Sequence, residues 1–241
     1  MVVEIPALEI AFASPSALTL ARERAARAEI VIFVSRNAVD AFYDDAHEVR
    51  LRGPVCAVGA STAAALGALG VVADEAPQNT DPDLPHSTEA LLMLPRLQSA
   101  EVAGCRIVIV RGVGGRPTLG NALRDRGAEV EYAEVYERQR PVLARSVLGG
   151  LVGSDSWVIV ITSVEGFDNF CAMCLESIPG CMTERWLSRC AYLVLSERIA
   201  HWVTRRWPQS RVYAASQASD EGVVKALLAN ARDMLEGDAR C

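Results

Sequence analysis

Two arginines bracket a run of small residues at Arg111-Gly-Val-Gly-Gly-Arg116, between an apolar segment and a helical one. A loop of this kind can turn its backbone N–H groups, and the positive end of the helix that follows, towards an anion. Arg111, Gly112, Gly114 and Arg116 are therefore candidate binders of a carboxylate or phosphate. The same residues would also serve as a tight strand-to-helix turn with two surface arginines. A dinucleotide is disfavoured, because after Gly112 and Gly114 the third glycine of that fingerprint would fall on Pro117, and no lysine followed by Ser or Thr makes a phosphate loop. Hydroxyls form a second set. Ser35, Thr162 and Ser163 end apolar runs, and Ser61, Thr62 and Ser196 stand in the next turns. Ligands of open α/β sheets bind at that end of the strands. Each hydroxyl can meet a carboxylate or cap a helix, and the residues alone leave both roles open.

Other chemistries find little support. His47, His86 and His201 have no partner carboxylate or cysteine motif, so no hydrolase triad is suggested. Cys171-Ala-Met-Cys174, with Cys181 and Cys190 downstream, could in principle hold zinc. Phe167, Phe170, Cys171 and Cys174, however, recur at helical spacing and a second CxxC is missing, which favours an apolar helix stripe. No metal and no cofactor are expected. The seven cysteines are odd in number and irregularly spaced, against a disulfide framework. Asp44-Asp45 and Asp81-Pro-Asp83 read as solvated turns. A net charge of −6 argues against nucleic acid, and Arg205, Arg206 and Arg211 around Trp207 read as a solvated helix end. No run approaches the roughly 20 apolar residues of a membrane span, and MVVEIPALEI has no secretory pattern, so a soluble cytoplasmic protein is expected. That leaves Tyr136, on a segment expected to run from one lobe to another. Its bland reading is an aromatic on an edge strand.

The elements that must position these groups alternate in type. Glu29–Ser35, Val55–Gly59, Cys105–Arg111, Glu129–Val135, Trp157–Ser163 and Ala191–Ser196 are expected as strands, several apolar throughout and hence buried on both faces. Helices are expected over Ser16–Ala28, opened by Ser14-Pro15; over Thr62–Leu69, opened by Ser61; over Leu119–Arg126; and over Glu221–Glu236. The polar, proline-rich stretch Asp74–Ser87 is expected as a loop. At 241 residues, 51% hydrophobic and 22% charged, the chain suits two α/β lobes with parallel sheets.

An internal repeat divides it. IVIFVSRNAVDAF from Ile30 matches VIVITSVEGFDNF from Val158, CAVGASTAAAL from Cys56 matches LVLSERIAHWV from Leu193, and STEALLML matches SDEGVVKALL. Ser35 then pairs with Ser163, and Gly59 with Ser196. The unit between the copies, strand 105–110 with its glycine loop and helix, has no counterpart before the first copy, although VVEIPALEI at Val2 matches VEYAEVYER at Val130. One lobe is expected to lack a strand.

PALEI, FVSRNAV, AVGASTAAAL, TEALLMLP, RGVGGRPTLGNALRDRGAEVEYAEVYER, ITSVEGF and LSERIAHW together resemble the uroporphyrinogen-III synthase family over nearly the whole chain. The resemblance implies two flavodoxin-like lobes, residues 11–130 and 141–241, joined by a β-ladder of residues 2–10 and 131–140. It implies dehydration and cyclisation of hydroxymethylbilane through a spiro-pyrrolenine, with ring D inverted and no cofactor. The many carboxylates of that substrate rationalise hydroxyl, amide and arginine donors, among them Asn37 of FVSRNAV and Arg198 of LSERIAHW. Tyr136 matches the position proposed to assist departure of the hydroxyl, a task for a protonated phenol. A monomer is expected, with at most transient contact with the preceding pathway enzyme. Members usually begin with a strand ending in Thr-Arg-Pro and a helix, both missing here, as the repeat indicates. An impaired, truncated homologue therefore stays open, as does a non-catalytic two-lobed protein that binds a small polyanion.

Overall fold

The computed structural model describes residues 2–45, 49–77, 88–142, 145–152 and 157–236. It contains two compact units, Ile10–Gln139 and a second made of Met1–Glu9 with Arg140–Cys241.

The first unit runs β1 (Glu9–Phe12), α1 (Pro15–Arg27), β2 (Ile30–Phe33), α2 (Arg36–Phe42), β3 (Val55–Ala57), α3 (Ala60–Ala68), α4 (Thr88–Leu92), α5 (Ser99–Val102), β4 (Arg106–Gly112), α6 (Thr118–Asp125) and β5 (Glu129–Gln139). The sheet order is β1-β5-β4-β2-β3, with β2 parallel to β3 and β4, and β4 parallel to β5. All four residues of β2 are buried, which explains an apolar run without alternation. Val31, Phe33, Val108 and Val110 face one core, closed by Leu18, Val39, Phe42 and Leu66 of α1 to α3. Ile30, Ile32, Ile107 and Ile109 face the other, closed by Leu91, Val102, Leu119 and Leu123 of α4 to α6. Each such aliphatic side chain contributes about 1.5–3 kcal/mol by leaving water. Helix starts follow the sequence signals: Ser14 Oγ accepts from Ala17 N–H at 3.3 Å, ahead of Pro15.

The second unit contains α7 (Arg145–Gly149), β6 (Val158–Ile161), α8 (Val164–Ser177), α9 (Cys181–Arg189), β7 (Ala191–Val194), α10 (Glu197–Arg206), β8 (Arg211–Ala214) and α11 (Asp220–Glu236). Its sheet is parallel, in the order β6-β7-β8. Ile161, Tyr192 and Val194 pack on α8, α9 and α10, whereas Ala191 and Leu193 pack on Met234 of α11. The repeat equates β2 with β6, yet their neighbours differ. β2 lies between β4 and β3, but among the described residues β6 pairs with β7 alone, and Val160 is 40% exposed.

Three expectations need correction. Residues 2–8 form no strand, and pairing begins at Glu9, where β5 is the neighbour. The equivalent stretch of β5 is held by β4. Among the described residues no counterpart of β4 stands beside β6, so residues 2–8 have no ladder to join. Ile5 and Ala7 instead pack on the second unit's core, and Asn169 Nδ2 donates to Ala7 O at 2.9 Å. The strand expected at Glu129–Val135 and the linker at 131–140 are one strand, β5. The helix expected from Thr62 starts at Ala60, with Gly59 rather than Ser61 as its cap. α4, α5, α7, α9 and β8 were not foreseen. Asp74 lies in the expected loop, where its Oδ2 accepts from Val55 N–H at 2.8 Å. Residues 78–87, with His86, Asp81 and Asp83, lie outside the described residues, as does His47.

Candidate active site

In each unit Ser35, Gly59, Ser163 and Ser196 sit just past the carboxyl ends of parallel strands, each on the turn into a helix. Ser35, Ser163 and Ser196 are helix N-caps of nearly identical geometry, with φ of −161°, −151° and −163°. Their Oγ atoms accept from the N–H of Ala38 at 3.1 Å, Gly166 at 2.9 Å and Ile199 at 3.4 Å. Gly59, the repeat partner of Ser196, has the same extended backbone but offers no side-chain cap; its carbonyl accepts from Thr62 N–H at 3.1 Å and Ala63 N–H at 3.0 Å. Ser61, in the first turn of α3, is exposed, whereas Thr62 beside it is 3% exposed and belongs to the packing. Asn37 is half-buried; Thr162 and Arg198 are exposed.

The densest cluster lies where β4 and β5 end. Their register is regular up to Arg111 opposite Glu134, and then shifts so that Gly112 faces Tyr136. Val135 is the extra residue of a β-bulge, a device that re-aims the side chains beyond it. Strand alternation would put Tyr136 on the same face as Tyr132. The bulge puts it with Val135 instead, in the core that α2 covers, where it is 5% exposed. There the Tyr136 hydroxyl lies 3.1 Å from Ser35 Oγ. The ring lies against Gly112, where a Cβ would come within 2.6 Å of Tyr136 Cζ, a separation real Cβ atoms essentially never show. Position 112 is glycine because the phenol occupies the space of a side chain.

Gly114 has φ +70°, a left-handed turn natural to glycine. Two loop amides are used internally: Val113 N–H donates to Tyr136 O at 2.8 Å, and Gly115 N–H to Gly112 O at 3.4 Å. The second arginine of the motif, Arg116, is exposed beyond these turns. Arg111 is different. Its residue is 8% exposed, its Nε donates to Gly112 O at 3.2 Å and its Nη1 to Arg116 O at 3.5 Å. Its Nη2 lies 3.3 Å from Glu134, and its guanidinium lies 4.3 Å from the Tyr132 ring centroid. Both arginines were expected to meet a ligand; Arg111 makes these contacts within the protein and braces the loop. Its planar fork suits that task, reaching two carbonyls, a carboxylate and an aromatic face together.

Elsewhere the chemistry is quieter. Cys171 and Cys174 lie buried in α8, and burial pushes their thiols up to about 11 and about 12; Trp207 Nε1 donates to Cys171 Sγ at 3.5 Å. Among the described residues no cluster of three or more His, Cys, Asp or Glu could hold a metal, and no helix is long and apolar enough to cross a membrane. Two participants left no sign in the sequence, the Val135 bulge and the Tyr132–Glu134 seat of Arg111. The first breaks the very alternation from which facing is read, and the second needs the register of two strands.

The sequence profile of HEM4, uroporphyrinogen-III synthase HemD, matches residues 1–225. Uroporphyrinogen-III synthase of Salmonella typhimurium is 36% identical over 146 residues, 58% of this chain and 54% of that protein, so the match spans about half of this relative's length. The Escherichia coli protein of the same name is 30% identical over 209 residues, 83% of this chain and 78% of its own. The crystal structure of uroporphyrinogen-III synthetase from Helicobacter pylori 26695 superposes with a TM-score of 0.56 at 15% identity, covering 92% of this chain and 90% of that one, a likeness of fold.

Proposed function

Because the chain belongs to the uroporphyrinogen-III synthase family, we propose that it acts in tetrapyrrole biosynthesis as a cyclising hydro-lyase, converting hydroxymethylbilane into uroporphyrinogen III with no cofactor. The observation that carries this reading is the placement of Tyr136, stacked on Gly112 beside Ser35 at the carboxyl end of the sheet, within the span matched by the family. In this reading the Tyr136 O–H bond breaks as its proton passes to the terminal hydroxyl. The C–O bond breaks with its electron pair on oxygen, water leaves, and the pyrrole nitrogen of ring A supplies electrons to the exposed carbon. Ring D attacks that carbon to form the spiro-pyrrolenine, which rearranges and closes with ring D inverted. The proton lost on closure returns to the phenolate, so water is the net leaving group. Within the first unit, Arg116, Asn37, the hydroxyl of Ser61 and the first turn of α3 behind Gly59 meet the substrate's carboxylates. A monomer in the cytoplasm completes the reading.

The test supplies freshly made hydroxymethylbilane and separates the uroporphyrin isomers after oxidation. The III isomer is expected in excess over the I isomer that forms without enzyme. Tyr136→Phe should lower turnover by about 10²–10⁴, the range of lost acid–base assistance. If the folded protein yields only the I isomer, the assignment as a synthase falls; if the Phe variant keeps full turnover, only the role of Tyr136 falls.

A further inference from the structure

We propose that Ser35 and Gly112 are positioning residues acting through Tyr136, an inference that rests on the reading of Tyr136 as proton donor. Three observations lead there. Ser35 Oγ already accepts from Ala38 N–H at 3.1 Å, which orients the hydroxyl and leaves its proton for the Tyr136 oxygen 3.1 Å away. Gly112 holds the other side: its missing side chain is the space in which the ring lies, and a Cβ there would stand 2.6 Å from Cζ. The Val135 bulge delivers the ring to this place rather than to the Tyr132 face.

The chemistry asks for such a device. When Tyr136 passes its proton to the departing hydroxyl, its oxygen becomes a phenolate beside little water, the residue being 5% exposed. A donor already aimed at that oxygen bonds more strongly to the anion than to the phenol and needs no reorganisation at the moment of transfer. Ser35 is such a donor, and Gly112 keeps the oxygen within its reach. The cap and the catalytic bond share one oxygen atom. In the second unit Ser163 and Ser196 cap their helices with the same geometry, so capping alone does not require a tyrosine.

The experiment uses Ser35→Gly, Ser35→Thr and Gly112→Ala, each in the parent chain and in Tyr136→Phe, measuring kcat and KM for formation of the III isomer, with thermal melts as control. Glycine substitutes for serine at an N-cap with little loss of stability, and the protein itself places Gly59 at such a position. Ser35→Gly should lower kcat by about 10- to 100-fold, the worth of a hydrogen bond to a charged group, with KM nearly unchanged. Ser35→Thr should restore most of it. Gly112→Ala should lower kcat by a similar factor, because the ring must move. In Tyr136→Phe neither substitution should cost a further factor. Equal losses with and without the tyrosine hydroxyl, or losses confined to KM, would overturn the positioning role while leaving Tyr136 as the acid. A Tyr136→Phe protein as active as its parent would instead overturn the acid itself, and this inference with it.

Discussion

Arg111→Ala separates a loop brace from a ligand residue, because the two roles predict opposite phenotypes. The guanidinium makes bonds to two carbonyls, lies 3.3 Å from Glu134 and stacks on Tyr132. Breaking a buried ion pair costs about 3–5 kcal/mol when the partner is left dry. Glu134 is 41% exposed, so water takes over much of its solvation, and the ion pair contributes only at the low end. Charged hydrogen bonds of about 1.5–3 kcal/mol and a cation–π contact of about 0.5–1 kcal/mol remain. Since the two carbonyl bonds are long, a total near 2–4 kcal/mol is expected, which lowers the melting temperature by roughly 4–16 °C for a chain of this size. Arg111→Lys should recover less than half, as an ammonium reaches one partner where the fork reaches several. Arg116→Ala should do the reverse: melt like the parent and raise KM, more so at low salt, as loss of an exposed cation facing a polyanion does. Calorimetry and steady-state kinetics on the variants decide. An Arg111→Ala protein that melts like its parent and loses only substrate affinity would refute the brace.

Ser163→Ala should destabilise by about 1 kcal/mol, from loss of its bond to Gly166 N–H, and Ser163→Gly by a few tenths, both read from chemical melts. Cys181 is exposed and should react with an alkylating reagent at neutral pH within minutes. Cys171 and Cys174, their thiols raised by burial to about 11 and about 12, should stay unlabelled until denaturant is added; mass spectrometry reads both.

What the sequence disclosed was governed by local or periodic signals. IVIF and RIVIV announced doubly buried strands because every residue of such a strand is apolar. The repeat paired Ser35 with Ser163, and Gly59 with Ser196, and all four stand at helix N-caps because a duplicated unit keeps its turns, although Ser61 was expected to open α3. Failures came where a neighbour decides. Residues 2–8 align with a stretch of β5, but they carry Pro6, which has no N–H to give a ladder, and a strand exists only beside a partner. Arg111 looked like Arg116 because a guanidinium's direction depends on Tyr132 and Glu134, a strand away. β8, only four residues long, is a strand through β7 rather than through its own composition.

The Val135 bulge has a consequence for how this protein tolerates change. Substitutions alter one side chain, but one residue inserted between Arg111 and Gly112 would give Val135 a partner and restore plain alternation along β5, while Val130 to Ala133 stayed paired with β4 as before. Tyr136 would swing to the Tyr132 face of the sheet, away from Ser35, with its own chemistry untouched, whereas deletion of Val135 would leave it opposite Gly112 on its present face. A length change of one codon could thus silence the site in a chain that still folds, and sequence comparison scoring residue identity would count every site residue as present. In surveying variants of this protein, the spacing between Arg111 and Gly112 carries as much information as the tyrosine.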